Sequence, residues 1–256
     1  MDVVPDKARK GRGAVSNPTG RFEADVRVAT DDGWGSADAE APPLRTTVGI
    51  DATRRIITTN DSPDVPFDQS INPYKGCEHG CVYCFARPTH AYLGLSPGLD
   101  FESKLFAKPD AARLLEKELR HRSYRPRVIA MGTNTDPYQP VERRMLVTRG
   151  ILEVLAAFRN PVTIVTKSAL IQRDIDILAP MAAEGLAAAA ISVTTLDRDL
   201  ARRMEPRAAT PERRLETIRA LSAAGIPTSV MAAPMIPTLN DWELERILEA
   251  AVGAGA

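Results

Sequence analysis

From about residue 127 onward, the sequence alternates short apolar runs with longer amphipathic segments. Such alternation predicts strands and helices joined in right-handed βα units, and therefore a parallel sheet. With one earlier run, the predicted strands are residues 70–75, 127–132, 162–166, 187–194 and 227–232. The predicted helices are residues 109–121, 141–158, 171–184, 197–204, 211–224 and 241–252. The chain is therefore predicted to be an α/β protein.

The sequence ahead of this core is less regular. Residues 1–44 are polar and lack helical or strand periodicity, so we expect a disordered or loosely draped tail. Residues 45–66 are predicted to form a short β lead-in, in which two β-branched runs, 45–50 and 54–59, pair as a hairpin. The core domain is then residues 67–256. The tail carries a small basic run that fits either a solvated segment or a nucleic-acid arm: Lys7, Arg9, Lys10 and Arg12.

Composition narrows the class of protein. The 256 residues are 44% hydrophobic, which is enough for a sizeable core, and Lys+Arg and Asp+Glu balance at 33 each. The overall charge gives no support for nucleic-acid binding. The sequence has no apolar run of membrane-spanning length, and its N-terminus lacks the apolar centre of a signal peptide. We therefore expect a cytoplasmic location without membrane association.

All three cysteines of the chain, Cys77, Cys81 and Cys84, fall within one short stretch. Thiolates suit iron–sulfur clusters and zinc, and such sites usually take four ligands. Three protein thiolates therefore leave one metal position open. Gly76 and Gly80 flank the first two cysteines and allow the positive φ angles that a tightly folded loop needs.

Other uses of the cysteines remain open at this stage. An odd number of thiols and no sign of secretion argue against a disulfide. A zinc-binding structural or interaction module with His79 as fourth ligand is one alternative. A ferredoxin-like electron carrier is another, although it would need neither the βα repeat nor polar strand ends. A cluster protein that binds nucleic acid is the third, and it would show a steep salt dependence of binding.

The Cys-x3-Cys-x2-Cys spacing, with Tyr83 before the last cysteine, resembles the radical S-adenosylmethionine (SAM) superfamily. The resemblance implies a 4Fe–4S cluster held by Cys77, Cys81 and Cys84, with SAM binding the fourth iron through its amino and carboxylate groups. It also implies a partial (β/α)6 TIM-like barrel. Only five strands are predicted here, so the chain is expected to be a C-terminal truncation that lacks the sixth unit.

Ligands of parallel α/β folds bind at the carboxyl ends of the strands, where this chain has polar residues. The resemblance assigns these residues to SAM: Asn134, Thr135 or Asp136 to its amino group, Lys167 to its carboxylate, and Ser192 and Thr194 to ribose. Ile236 is the candidate contact for adenine. A structural turn at Asp136 and a solvated Lys167 are the plain alternatives. Charged residues after the fourth strand fit either ligand binding or helix-surface ion pairs: Glu205, Arg207, Arg213 and Arg214.

Residues 70–98 and 132–140 are similar to the branch that contains spore photoproduct lyase and proteins labelled DNA repair photolyases. In that lyase, a fourth cysteine after the second barrel strand returns a hydrogen atom to the product. The matching position here is Thr133, whose O–H bond is too strong for that role. The resemblance implies an external one-electron reductant of flavodoxin or ferredoxin type. The substrate is unknown, with nucleic acid as one candidate through Arg87, His90, Arg143 and Arg144.

Overall fold

A computed structural model of the chain describes residues 6–26, 28, 30, 34 and 43–256. Its main element is a six-stranded sheet with the strand order β2-β3-β6-β7-β8-β9. The strands are β2 (Thr58–Thr59), β3 (Gln69–Ile71), β6 (Ile129–Met131), β7 (Val162–Thr166), β8 (Ala187–Ser192) and β9 (Thr228–Met231). All neighbours are parallel except β2, which pairs antiparallel with β3. The predicted parallel α/β fold is therefore confirmed, with slightly shorter strands.

A second sheet of three strands carries the chain into the cysteine stretch. It contains β1 (Thr47–Ile50), β4 (Tyr74–Lys75) and β5 (Lys104–Ala107) in the order β1-β5-β4. β1 pairs parallel with β5, and β4 pairs antiparallel with it. The prediction that residues 45–50 and 54–59 form a hairpin is therefore wrong. The two runs join different sheets: β1 pairs with the distant β5, whereas β2 pairs antiparallel with β3, the next strand in the chain.

Eight α-helices connect the strands in the described part of the chain. They are α1 (Leu99–Ser103), α2 (Ala111–Leu119), α3 (Glu142–Met145), α4 (Val147–Ala157), α5 (Ile175–Ala183), α6 (Arg198–Met204), α7 (Pro211–Ala223) and α8 (Leu244–Gly253). Short 3₁₀ segments lie at Arg87–Leu93, Ala169–Asp174 and Asp241–Glu243. At α7 the predicted start is confirmed, because the Thr210 hydroxyl accepts from the Arg213 N–H and Pro211 occupies the first turn.

Two predicted elements differ in detail. The helix expected over residues 141–158 is broken at Leu146, which has a left-handed φ of 56° and separates α3 from α4. The stretch around residues 101–108, which looks extended in sequence, begins as the short helix α1 before β5. At the break, the buried carboxylate of Glu142 accepts from the N–H of Thr148 at 3.0 Å and so caps the start of α4.

One continuous apolar core joins the six-stranded sheet to its helices. Ile129, Met131 and Ile164 from the strands and Leu152 from α4 are almost fully buried. Each such side chain contributes about 1.5–3 kcal/mol relative to exposure. Among the described residues, the sheet ends at β2 on one side and β9 on the other. A parallel sheet of this kind agrees with a partial barrel, and the carboxyl ends of β3, β6, β7 and β8 meet at one edge.

The N-terminal segment has no helix or regular strand between residues 6 and 26. The segment is nevertheless packed against the protein at Arg12, which is only 9% exposed and donates a hydrogen bond to the carbonyl of Glu102. The prediction that Arg12 belongs to a solvated basic run is therefore wrong. The other parts of the predicted tail, residues 1–5, 27, 29, 31–33 and 35–42, lie outside the described residues. Within the described ranges, no helix has the length and apolar character needed to cross a membrane.

Candidate metal and cofactor site

The cysteine loop, residues 76–86, follows β4 and ends in the 3₁₀ segment at Arg87. Gly76 and Gly80 have positive φ angles of 76° and 68°, as expected from sequence. All three thiols are free; Cys77 is buried, and Cys81 and Cys84 are partly buried. The Cys84 N–H donates to the carbonyl of Cys81 at 3.3 Å, so the last two cysteines lie in one tight turn.

The donor set of this loop fits an iron–sulfur cluster. Burial raises the pKa of Cys81 to about 12, Lys167 opposes this, and the nearby charges of Glu205 and Cys84 add to it. Burial and the neighbouring Asp136 and Cys81 likewise raise the pKa of Cys77. Cys81 thus interacts electrostatically with both other thiols. Without a metal these buried thiols are held in the neutral form, and a bound metal centre would favour the thiolate, because a coordinating thiol is deprotonated.

The geometry of a closed metal cage is not preformed. Within the described residues, no three His, Cys, Asp or Glu side chains are placed to hold a metal ion. The loop backbone is held by side-chain hydrogen bonds from Gln139 and Arg87. The fit to a cluster therefore rests on ligand type, spacing and loop anchoring.

Gln139 anchors the loop on both sides of Cys77. Its side-chain Nε2 donates to the carbonyl of Gly76 at 3.1 Å, and its Oε1 accepts from the N–H of Glu78 at 2.9 Å. Gln139 is fully buried, so these bonds are shielded from water. Sequence reasoning treated this residue only as part of a polar turn, because nothing local in the sequence indicates a partner so far along the chain.

Arg87 anchors the other end of the loop. Its Nη2 and Nε donate to the carbonyl of Cys81 at 2.8 and 3.1 Å, and Nη2 also donates to Glu102 at 2.6 Å. The planar guanidinium therefore holds the Cys81 carbonyl with two N–H donors at once. Arg87 was a candidate contact for a phosphate backbone in the sequence analysis. The structure instead places it inside the protein, as support for the cysteine loop.

The carboxylate of Asp136 is engaged by the protein itself. It accepts from Thr166 Oγ1 at 2.7 Å and from the N–H groups of Lys167 and Tyr138, both at 2.8 Å. Burial alone would raise the pKa of Asp136, but the His79 ring and these hydrogen bonds lower it to about 2. The plain alternative, a structural turn, describes Asp136 better than the predicted contact with the SAM amino group.

His79 lies against Asp136. Its Nδ1 is buried and 3.3 Å from Asp136 Oδ2, within ion-pair distance although without hydrogen-bond alignment. The structure thus places His79 beside a carboxylate of the loop that follows β6. The alternative of a zinc module completed by His79 is not supported.

Asn72 organises the loop that follows β6. Its Oδ1 accepts from the N–H groups of Asn134 and Thr135 at 3.1 and 3.2 Å, and its Nδ2 donates to Thr133 Oγ1 at 3.2 Å. The Thr135 hydroxyl donates to the carbonyl of Tyr74 at 2.9 Å. Thr135 is therefore buried in a structural contact. The half-buried side chain of Asn134 is left as the better candidate for a SAM contact in this loop.

A second polar cluster lies at the carboxyl ends of β7 and β8. Tyr83 donates to Glu205, which also accepts from Thr194 at 2.7 Å and pairs with the buried guanidinium of Arg214. Burial alone would raise the pKa of Glu205, but Arg214 and Lys167 lower it. Burial, Cys81 and Glu205 raise the pKa of Tyr83. This cluster connects the cysteine loop to the sheet edge.

Lys167 belongs to the same region. Its Nζ donates to Ser192 Oγ at 3.0 Å and lies 5.8 Å from the centre of the Tyr83 ring. The half-buried ammonium therefore stands beside the cysteine loop rather than in bulk solvent. Lys167, Ser192, Thr194 and Tyr83 lie close together, and Ser192 and Thr194 are fully buried and hydrogen-bonded within the protein. Their contacts with SAM stay predictions.

The loop after β9 carries Ile236, which is partly buried. Its N–H donates to the Asn240 side chain at 2.7 Å, and Asn240 Nδ2 in turn donates to the carbonyl of Thr194 at 2.7 Å. Asn240, which is fully buried, thus fixes this loop against the end of β8. Its role was missed, because in sequence it reads only as a helix cap. Contact of Ile236 with adenine stays a prediction.

The profile of the Radical SAM superfamily matches residues 71–251, well over half of the chain. The chain therefore belongs to the radical SAM superfamily. The cofactors that this membership implies are a 4Fe–4S cluster and S-adenosylmethionine, and the three cysteines of the loop are the residues of this chain suited to hold the cluster.

Its curated relatives include an uncharacterised protein of Mycobacterium tuberculosis, 42% identical over 194 residues. That match covers 75% of this chain and 57% of the relative. An uncharacterised protein of Methanocaldococcus jannaschii is 27% identical, over 68% of this chain and 62% of the relative. The chain thus spans less than two thirds of the length of these relatives.

Among solved structures, the fold is similar to spore photoproduct lyase. A double mutant of that enzyme with bound AdoMet and dinucleoside spore photoproduct has a TM-score of 0.57 and 17% identity. The match covers 81% of this chain and 56% of the lyase. At this identity the similarity is one of fold.

Proposed function

We propose that the chain is the catalytic core of an enzyme that cleaves SAM reductively and abstracts hydrogen from a substrate. When bound, the 4Fe–4S cluster supplies the electron that converts SAM to methionine and a 5′-deoxyadenosyl radical, the hydrogen-abstracting species. The observation that carries the proposal is the anchored cysteine loop at the carboxyl edge of a parallel sheet. The loop carries the three cysteines of the chain, two of them near polar residues that follow the strands, and the chain belongs to a family whose members use this chemistry.

In this proposal, the chain's own residues bind and orient the cofactors. Cys77, Cys81 and Cys84 hold the cluster, while Gln139 and Arg87 keep the loop backbone in place. The Lys167 ammonium pairs with the carboxylate of SAM, since it is a cation beside the loop. Asn134 contacts the amino group, and Ile236 lies against adenine.

The remaining predicted SAM contacts are proposed with less direct roles. The ring of Tyr83 lies beside the Lys167 ammonium, and its hydroxyl donates to Glu205. Ser192 and Thr194 orient Lys167 and Glu205 through hydrogen bonds and so shape the ribose side of the site. Thr135 and Asp136 hold the turn that presents Asn134.

The reaction is proposed to be lyase-like, with an external reductant of flavodoxin or ferredoxin type and a cytoplasmic location. A damaged nucleic acid is the first substrate class to test, because the fold resembles spore photoproduct lyase. One position separates the two proteins chemically. Thr133 stands where a hydrogen-donating cysteine is expected, and its hydroxyl accepts from Asn72 at 3.2 Å. Any product radical must therefore be quenched by another donor.

The test is anaerobic reconstitution of the full-length protein with iron and sulfide. Wild-type protein should bind about four irons per chain and form 5′-deoxyadenosine from SAM under a strong reductant. Cys77→Ala, Cys81→Ala and Cys84→Ala should each lose both properties. Ser123→Ala, at an exposed turn, is the matched control and should retain them. The assay is run with and without ultraviolet-damaged DNA to examine the substrate class.

A cysteine variant that still cleaves SAM would show that the ligand assignment is wrong. Colourless protein that takes up zinc instead of iron would overturn the enzyme proposal. Stimulation by damaged DNA would support the nucleic-acid substrate, whereas an unchanged rate would count against it and leave SAM cleavage standing.

A further inference from the structure

Residues 12–18, which we call the N-terminal strap, cross the cysteine loop and helix α1. The Leu99 N–H donates to the carbonyl of Ser16 at 3.0 Å, and Ser96 Oγ donates to the carbonyl of Pro18 at 2.6 Å. Asn17 Oδ1 accepts from the Asp100 N–H at 2.8 Å, and Asn17 Nδ2 donates to the Asp100 carboxylate at 3.0 Å. The strap is thus fixed along its length by bonds to residues more than seventy positions away.

The buried carboxylate of Glu102 joins the strap to the cysteine loop. It accepts from the N–H groups of Gly13 and Ala14 at 3.0 and 2.8 Å, and from Arg87 at 2.6 Å. Arg87 in turn donates to the carbonyl of Cys81. A chain of charge-assisted hydrogen bonds therefore runs from the strap backbone to the backbone of a cluster ligand.

Arg12 closes the other side of the strap. Its Nη1 donates to the carbonyl of Glu102 at 2.6 Å, and its Nη2 donates to the carbonyl of Leu44 and to Thr46 Oγ1. Thr46 donates to Glu78, which lies between Cys77 and His79 in the loop. Arg12 therefore ties the strap to the first half of the loop, whereas Glu102 and Arg87 tie it to the second half.

The strap and the loop also touch directly. A Cβ atom added at Gly13 would lie 1.8 Å from the carbonyl oxygen of Gly80 and 3.2 Å from Val82 Cγ1. Only a glycine permits this approach, since a methyl group would overlap the loop backbone next to Cys81. The close packing shows that the strap lies on the loop and does not merely pass near it.

We propose that the N-terminal strap is a clamp that positions the cysteine loop for cluster binding. Arg12, Gly13, Glu102 and Arg87 are its positioning residues. The clamp holds the loop backbone before and after the cluster is present, which limits opening of the loop to solvent. This inference rests on the proposed function for the identity of the cluster, but the clamp itself is a property of the protein without metal.

The first experiment measures thiol alkylation in the apoprotein under reducing conditions. Gly13→Ala, which disturbs the second half of the loop, should react about tenfold faster than wild type at Cys81 and Cys84, and Arg12→Ala, which frees the first half, about tenfold faster at Cys77; about tenfold is the factor expected when one charge-assisted hydrogen bond is lost. Lys10→Ala, an exposed position just before the strap, is the control and should react like wild type. Mass spectrometry assigns the rate of each cysteine, and thermal unfolding shows whether each variant is folded.

The second experiment uses the reconstituted protein. Gly13→Ala and Arg12→Ala should lose iron on exposure to air about tenfold faster than Lys10→Ala, and the electron paramagnetic resonance signal of the reduced cluster should broaden. If Gly13→Ala does not fold, Arg12→Lys replaces it, because it keeps the charge but loses the forked contact.

The outcomes separate the clamp from the proposed function. Wild-type alkylation rates in the folded strap variants would overturn the clamp, whether or not the protein binds a cluster. Wild-type protein that binds no cluster would overturn the proposed function, and the apoprotein rates would still decide the clamp. Faster alkylation and faster iron loss in variants whose thermal unfolding matches that of wild type support the clamp, whereas acceleration that appears only together with a matching loss of thermal stability indicates general destabilisation and contradicts it.

Discussion

The side chain of Gln139 forms hydrogen bonds on both sides of Cys77: it donates to the carbonyl of Gly76 and accepts from the N–H of Glu78. This contact joins the loop after β6 to the first cluster ligand. It therefore makes the cysteine loop depend on the sheet edge even before any metal is bound.

Replacing Gln139 by leucine should destabilise the apoprotein by about 2 kcal/mol, because two buried backbone groups lose their partners at about 1–3 kcal/mol each and local relaxation recovers a part. Iron content after reconstitution should fall as well. Urea denaturation and iron analysis measure the two effects. Gln172→Leu is the control, since it removes a single bond to Thr217 away from the loop. Normal iron content in Gln139→Leu would contradict the anchoring role.

Replacing Glu205 by glutamine should lower stability at neutral pH by about 3 kcal/mol, because it breaks a buried pair with Arg214. The folded pKa of Glu205 lies below its ordinary value. Its stabilising contribution is therefore complete above the unfolded pKa of about 4.3 and is lost as pH falls through the folded pKa.

The stability difference between wild type and Glu205→Gln should consequently narrow as the pH is lowered through this range. Urea denaturation at a series of pH values measures it. Glu216→Gln, which removes an exposed partner of Arg213 on the same helix, should give a small difference at all pH values. If the stability difference between wild type and Glu205→Gln instead grew as the pH fell, the direction assigned to the Glu205 pKa shift would be wrong.

Replacing Gly132 by alanine should destabilise the protein much more than the same change at Gly185. Both glycines have positive φ angles, 87° and 72°, so alanine at either position costs about 1–2 kcal/mol for the left-handed backbone. At Gly132, the added Cβ would also lie 2.0 Å from the carbonyl of Val165, whereas the space at Gly185 is open. Denaturant unfolding of the two variants should differ by at least about 1 kcal/mol; equal losses would refute the close approach of β6 and β7.

Replacing Lys167 by methionine should weaken SAM binding by about ten- to hundredfold, the effect of losing a hydrogen bond to a charged group worth about 1.5–3 kcal/mol. Anaerobic equilibrium dialysis of the reconstituted protein measures the dissociation constant. Lys117→Met, at an exposed position on α2, serves as the control. If both variants bind SAM like wild type, the assignment of Lys167 to the SAM carboxylate is incorrect.

The elements that sequence predicts well are those whose signals are local. Helix α7 begins where Thr210 and Pro211 indicate, because a cap and its N–H partner are three residues apart. The pairing of β1 with β5 could not be predicted in this way. A short β-branched run indicates a strand but carries no information about which distant strand will be its neighbour.

The same limit applies to the site. The cysteines are recognisable because their spacing is itself the signal. Arg213 and Arg214 are identical in type and adjacent, yet the side chain of the first is 60% exposed and that of the second 2% exposed. Only the fold, which brings Glu205 beside one of them, determines which arginine is internal.

The two sheets of the protein meet directly ahead of the first cluster ligand. β3 belongs to the six-stranded sheet and β4 to the three-stranded sheet, and only Asn72 and Pro73 separate them. A rotation of one sheet against the other has to be absorbed over this short joint, where Pro73 restricts the backbone. Cys77 follows β4 after Gly76 alone, so the position of its thiol depends on how the two sheets are placed against each other.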